Sequence, residues 1–328
     1  MVRFAFRMPV MEATSRLSNQ PPNNYSPKSF DDLCARVLAR TGFVRLTGLR
    51  GATRAWAGAA LVRAVAPKPV LFLAPDAKSA DALLEDLRVM LGEPAPEEGG
   101  QVRPFPHPDT LPYDRFSPQP FVTAQRMDVL YRWLEAAGER GASDKGLVVV
   151  APLTALALRV PTREALQART TQLHVGEWID RDALVAKLVA AGYARMALVE
   201  ERGEVAVRGG IVDVFPPQRA RPVRIELTGD EVESIRDFDA ASQRSQQRLG
   251  SVTLPPPREI QLDRDLVIER GAEIRKRAEE QGADARATDE MLDALLRGSL
   301  PPGSEALAPW IQPGVETVFE YLPEDALV

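Results

Sequence analysis

One cysteine and two histidines are all that this chain of 328 residues offers for thiolate or imidazole chemistry. Cys34 alone can form no internal disulfide and no thiolate zinc cluster. His107 and His174 are too few for a histidine metal site or a proton relay. Long apolar runs are missing as well. The best candidate, Gly146 to Val160, is cut by Pro152 and falls short of the roughly 18 residues a membrane span needs. Arg3 and Arg7 have no apolar segment beside them that would make a signal peptide, so the cytoplasm is the expected compartment. Positive charge is also scarce. A formal net charge of -5 argues against a broad phosphate-binding surface, because duplex affinity comes mainly from neutralised phosphates. Ser117 and Ser242 have no neighbouring base, and Asp237-Phe238-Asp239 and Glu200-Glu201 lack histidine or metal spacing. They read as solvated faces, so no catalytic residue, metal site or cofactor is expected.

With 45% hydrophobic and 27% charged residues, the chain has the composition of a soluble globular protein large enough for two domains. Residues 1–27 end in the polar, proline-rich run SNQPPNNYSP and are expected to be a flexible lead. A short helix is expected over Phe30–Ala39 and a strand over Phe43–Thr47, then a loop at Gly48–Arg54 and a helix through Ala66. PVLFLA at 69–74 and GLVVVA at 146–151 are continuous apolar runs, the mark of strands covered on both faces. Helices are predicted at Asp76–Leu91, from about Thr123, and at Thr162–Ala168. This alternation predicts an α/β fold with an open parallel sheet. A further helix at Asp180–Ala191 is followed by strands from about 196 to 254, which sets off a small α+β domain at 170–254 with an antiparallel sheet. Leu254-Pro255-Pro256-Pro257 marks its exit. Helices at Leu266–Gln281 and Thr288–Arg297 and a strand over Val315–Leu322 complete the reading. The larger α/β unit is therefore discontinuous, 28–169 with 255–328. The end at 325–328, without capping or turn chemistry, resembles a cut inside an element. Trp56, Trp133, Trp178 and Trp310 are scattered and read as core anchors.

The strand–loop–helix at 43–66 occupies the place of a phosphate loop. Such a loop needs GxxxxGK[ST], so that backbone amides wrap the phosphates, Lys reaches the β/γ oxygens and Ser/Thr holds Mg²⁺. The string here is Gly48-Leu49-Arg50-Gly51-Ala52-Thr53-Arg54-Ala55. Arg54 replaces the lysine and Ala55 the metal-binding hydroxyl, which leaves Gly48 and Gly51 in a non-functional loop. Nucleotide hydrolysis is not expected.

The richest stretch is 203–244. Val205 and Val207 lead through Arg208-Gly209-Gly210 into Ile211-Val212-Asp213-Val214-Phe215, which Pro216-Pro217 ends. Val223, Ile225 and Leu227 alternate with Arg224, Glu226 and Thr228, Thr228-Gly229-Asp230 turns, and Val232–Phe238 returns. Arg208, Arg224 and Arg236 occupy positions the apolar residues leave open, and Arg208 and Arg224 are expected on neighbouring strands, on the face opposite Val207, Val223 and Ile225. They form no basic patch, since 170–254 carries 11 Lys+Arg against 13 Asp+Glu.

This order of residues resembles the small inserted domain shared by UvrB and the transcription-repair coupling factors. FPHPDTLPYDRFSPQPFVTAQRMDVLY at 105–131 resembles the same family. Between Pro106 and Pro120 the only aromatics are Tyr113 and Phe116, too few for the tyrosine-rich DNA-separating hairpin of UvrB, and LPYD-x-FSP points to the coupling factors. The resemblance implies a RecA-like parallel-sheet domain without a working phosphate loop, interrupted by the small domain. It implies an adaptor that docks UvrA, belonging to a protein whose polymerase-binding and DNA-translocase domains lie elsewhere. RNA polymerase and DNA would then be partners only through those domains. By the same resemblance the UvrA contacts fall on Arg208, Arg224 and Thr228, where Thr228 stands in place of the usual Phe. The rival readings are a free-standing DNA- or nucleotide-binding protein of the UvrB type and a structural domain without a partner.

Overall fold

The computed structural model describes residues 48–110 (Gly99 apart), 116–137 and 146–328, with isolated positions between 32 and 39. The expected strand at Phe43–Thr47, most of the helix at Phe30–Ala39, and Tyr113 lie outside the described residues. From Thr53 the elements run α1 (Thr53–Val65), β1 (Val70–Ala74), α2 (Ala77–Leu91), β2 (Val102–Pro104), α3 (Pro120–Ala137) and β3 (Val148–Pro152). The three strands form a parallel sheet in the order β1-β3-β2. Side chains on β3 alternate between two cores, as strand geometry requires. Val149 and Ala151 face a cluster with Leu71, Met127, Leu130 and Trp133. Val148 and Val150 face another with Ala55, Ala59, Leu84 and Leu87. The unbroken apolar run of β3 thus follows from helices on both faces.

Local chemistry sets the ends of these helices. Asp76 accepts a hydrogen bond from Ser79 N, and α2 closes at Gly92, whose φ of 69° suits glycine. Helix α3 begins at Pro120, three residues ahead of the sequence expectation, because proline is tolerated in a first turn where its missing N–H is not needed.

Beyond β3 come the one-turn α4 (Leu153–Leu156), β4 (Val160–Pro161), α5 (Arg163–Arg169), β5 (Thr171–His174) and α6 (Arg181–Ala190). Six further strands follow: β6 (Ala194–Arg195), β7 (Glu204–Arg208), β8 (Ile211–Val214), β9 (Val223–Thr228), β10 (Glu231–Phe238) and β11 (Ser245–Leu249). They form one sheet in sequence order, antiparallel except for the β6–β7 edge. Strand β12 (Ser251–Leu254) pairs with β5. The core under this sheet is drawn from 173–254 alone, with Leu184 and Leu188 of α6 packed on Val205, Val212, Val223 and Ile225. Helices α7 (Arg264–Glu280) and α8 (Ala285–Leu296) pack with Ile260 and Ile311 in a cluster of their own.

The expected strand over Val315–Leu322 is mostly absent. Only β13 (Val315–Glu316) is extended, paired with β4, and Val318–Tyr321 is a 3₁₀ turn. The Glu320 carboxylate accepts from the Thr317 amide while the Thr317 side chain accepts from the Glu320 amide, a reciprocal capping box that bends the chain. Val318 and Tyr321, three residues apart, then both reach the core. The chain finally returns to the parallel sheet. Leu71 N donates to Leu327 O at 2.8 Å, and Leu327 N to Pro69 O at 2.9 Å.

A buried arginine ties α3 to the segment that leaves β12. Arg126, 1% exposed, binds both Glu259 oxygens (2.5 and 3.1 Å), donates to Pro106 O at 2.7 Å and lies 4.2 Å from the Phe105 ring. Arg132 reaches Gln218 O at 2.8 Å, and Gln218 Nε2 reaches Thr253 O at 2.8 Å.

Two truncations separate a core contribution from a local one. Trp133→Ala, fully buried, is expected to cost about 3–5 kcal/mol, and Asp76→Ala, which removes only a helix cap, about 1 kcal/mol. Urea unfolding followed by circular dichroism measures both, and equal losses would contradict this packing.

Candidate functional site

The outer face of the six-stranded sheet is built around a carboxylate. Asp213 sits in the apolar run of β8, between Val212 and Val214, which point into the core. Its own side chain points the other way and is only 1% exposed. Arg224, directly opposite on β9, grips it with Nε to Oδ1 at 2.8 Å and Nη2 to Oδ2 at 2.9 Å. Arg208 on β7 adds Nη2 to Oδ2 at 2.9 Å from the other side. The Arg224 guanidinium also lies 4.6 Å from the Phe238 ring and donates to Gln243 O at 3.2 Å. The hydrogen bonds from Arg224 to Asp213 raise the guanidinium pKa further above its usual value.

The arginines expected to stand on neighbouring strands are therefore one strand further apart. Strand β8 runs between them, because the Gly209–Gly210 hairpin folds β8 back before β9 begins. They do share a face, opposite Val223 and Ile225 as expected. The two glycines of that hairpin have separate reasons. Gly209 has a φ of 58°, and a Cβ on Gly210 would stand 2.6 Å from Leu227 O, whose residue donates N–H to Gly210 O at 2.8 Å.

Exposure divides the pair. The Arg224 side chain is 12% exposed and that of Arg208 47%. Thr228 is exposed and donates its hydroxyl to Glu233. Arg236, opposite Arg224, stands 3.6 Å from Glu226. Asp213, which holds this face together, was not singled out in the sequence. Its signal was a lone carboxylate in an apolar strand.

In the loop at 48–55, Gly48 and Gly51 have positive φ and the Thr53 hydroxyl closes a turn, accepting from Arg50 N at 2.8 Å and donating to Arg50 O at 2.7 Å. Arg54 is exposed, whereas Ala55 is fully buried against Ala59, Ala74 and Leu84. The Ala55 position serves packing. Among the described residues, no three His, Cys, Asp or Glu side chains group as metal ligands. Of the tryptophans, Trp133 is a core residue and Trp310 packs on the α7–α8 cluster. Trp56 (49%) and Trp178 (74%) are exposed, contrary to the expectation of core anchors.

The two arginines are expected to differ in stability. Arg224→Ala leaves a buried carboxylate with one half-exposed partner and should cost about 3 kcal/mol. Arg208→Ala should cost no more than about 1 kcal/mol. Equilibrium denaturation of both variants checks the ranking, and a larger loss at Arg208 would reverse the roles assigned here.

A family model described as the UvrB interaction domain matches residues 171–259, the stretch that holds this sheet. The transcription-repair-coupling factor of Myxococcus xanthus is 35% identical over 280 residues, 85% of this chain and 23% of that protein. That of Escherichia coli is 29% identical over 294 residues, 88% of this chain and 24% of the relative. That of Haemophilus influenzae is 32% identical over 223 residues, 68% and 18%. The chain spans less than a quarter of the length of these curated relatives. By this domain and by similarity along most of its length, the chain belongs to the transcription-repair-coupling factor family.

Proposed function

We propose that this chain is the UvrB-like adaptor of a transcription-repair coupling factor and that it recruits UvrA in nucleotide excision repair. The observation that carries this reading is the coincidence of the UvrB interaction domain match with the arginine-bearing sheet at 194–249. Arg208 is its main contact. Half of that side chain faces solvent, and a planar guanidinium can give a partner carboxylate two hydrogen bonds. Arg224 acts beside it by holding Asp213 and presenting one edge of its fork. Thr228 completes the docking surface but adds little apolar area.

The division into a discontinuous α/β unit, 28–169 with 255–328, and an inserted docking unit, 170–254, is part of the proposal. Separate cores under the two sheets support it, as does the pairing of Leu327 beside β1. Chemistry does not reside in this stretch. ATP-driven translocation on DNA and release of stalled RNA polymerase would belong to other parts of the full-length protein.

Two experiments test this reading. Arg208→Ala should weaken binding to the cognate UvrA by roughly 2 kcal/mol without changing the circular dichroism spectrum, and Thr228→Phe should tighten it. Calorimetry that finds Arg208→Ala equal to the parent would move the docking site elsewhere. Fluorescent ATP with Mg²⁺ should show no saturable binding at micromolar concentration, because Ala55 offers no metal-binding hydroxyl and is buried. Saturation would overturn the non-functional loop.

A further inference from the structure

Trp178 is the most exposed of the four tryptophans, at 74%, and yet its backbone is fixed. The segment Gly176–Ile179, between β5 and α6, runs antiparallel beside the start of β10. Gly176 N donates to Val232 O at 2.8 Å, Val232 N to Glu177 O at 2.8 Å and Ile179 N to Asp230 O at 2.7 Å. The Glu177 carboxylate also accepts from His174 N at 2.9 Å. Trp178 thereby stands opposite Glu231 in the narrow, non-hydrogen-bonded kind of pair, where side chains share a face.

Strand alternation decides which face that is. Ile179 packs on the core beneath the sheet, so Trp178 before it projects from the other side. Glu231 is opposite Thr228, Glu226 opposite Ile211, and Ile211 opposite Arg208. Trp178, Thr228 and Arg208 therefore occupy one surface. Four strand spacings of about 4.8 Å and a two-residue step along β9 of about 6.8 Å put the Trp178 and Arg208 backbones about 20 Å apart. Both fit within a single interface of about 800 Å² per partner. No other large apolar side chain on these strands is exposed on this face. An indole buries about 150–250 Å² when covered, which makes it the largest apolar group available there.

We propose that Trp178 is the apolar anchor of the docking face, received by a recess on the UvrA-type partner. The inference rests on the docking reading above and specifies the chemistry of the partner surface. A carboxylate meets Arg208 at one end, an apolar recess takes the Trp178 ring at the other, and a basic group beside the recess meets the exposed carboxylates of Glu231 and Glu233.

The test uses the full chain and its cognate UvrA. Trp178→Ala is expected to weaken binding about 30-fold, the loss typical of a buried aromatic anchor. Because the ring is exposed in the free chain, circular dichroism and urea midpoint should not change. Chain labelled with 5-fluorotryptophan and assigned with Trp178→Phe should show the Trp178 fluorine resonance shift and lose its sensitivity to solvent isotope when UvrA binds. If Arg208→Ala weakens binding while Trp178→Ala stays within about twofold of the parent, the anchor is overturned and the docking face stands. If neither variant weakens binding, the docking face falls and the anchor with it. An unmoved Trp178 resonance in the saturated complex also overturns the anchor.

Discussion

A single buried carboxylate organises the face on which the functional reading depends. Asp213 faces away from the core of its sheet, yet is almost entirely covered by the two guanidinium groups that bind it. A charge in that position is tolerable only with partners in good geometry, since removing it from water costs several kcal/mol. Arg224 provides two parallel hydrogen bonds and Arg208 a third. The interaction joins β7, β8 and β9 across their outer surface, beside a small apolar cluster of Val199, Ala206, Phe215 and Phe238. It also fixes the direction of Arg208, whose exposed part is then presented in one orientation. An arginine held in this way loses less side-chain freedom on binding than one on an unconstrained surface.

The two sheets are joined by the same kind of chemistry. Arg126 is buried between the Phe105 ring, Pro106 O and Glu259, so the α3 helix of the parallel-sheet unit grips the segment that leaves the antiparallel one. Arg132 adds a contact to Gln218, which itself holds Thr253. Tyr193, buried just after α6, donates its hydroxyl to Pro255 O at 2.7 Å, and burial pushes its pKa well up. These contacts gather at the Pro255–Glu259 exit. The position of the arginine face relative to the parallel sheet follows from them.

Helices and strands with strong local signals were legible from the amino-acid order. Asp76 and Asp180 cap the helices they were expected to begin, and the apolar runs at 70–74 and 148–152 are strands, the second buried throughout and the first leaving Leu73 exposed. The hairpins at Gly209–Gly210 and Gly229–Asp230 also fall where glycine permits them. The stretch at 315–322 misled because Val315, Thr317, Val318, Phe319 and Tyr321 are β-branched or aromatic, the residue types strands favour, while the Thr317–Glu320 cap bends the chain. Arg208 and Arg224 were recognised as residues of one face, but not the strand between them.

Sequence by itself thus determined the elements, the two kinds of sheet and the residue types available for docking, because those depend on periodicity, caps and turns within a few positions. Only the tertiary structure decided that Arg224 is largely occupied with Asp213, that Ala55 is a core residue, and that Trp178 stands in the row of Glu231 and Thr228. Each of these is a contact between residues well separated along the chain. Which face a side chain joins, and how much of it stays in water, depends on strand register and on what the rest of the chain lays against it.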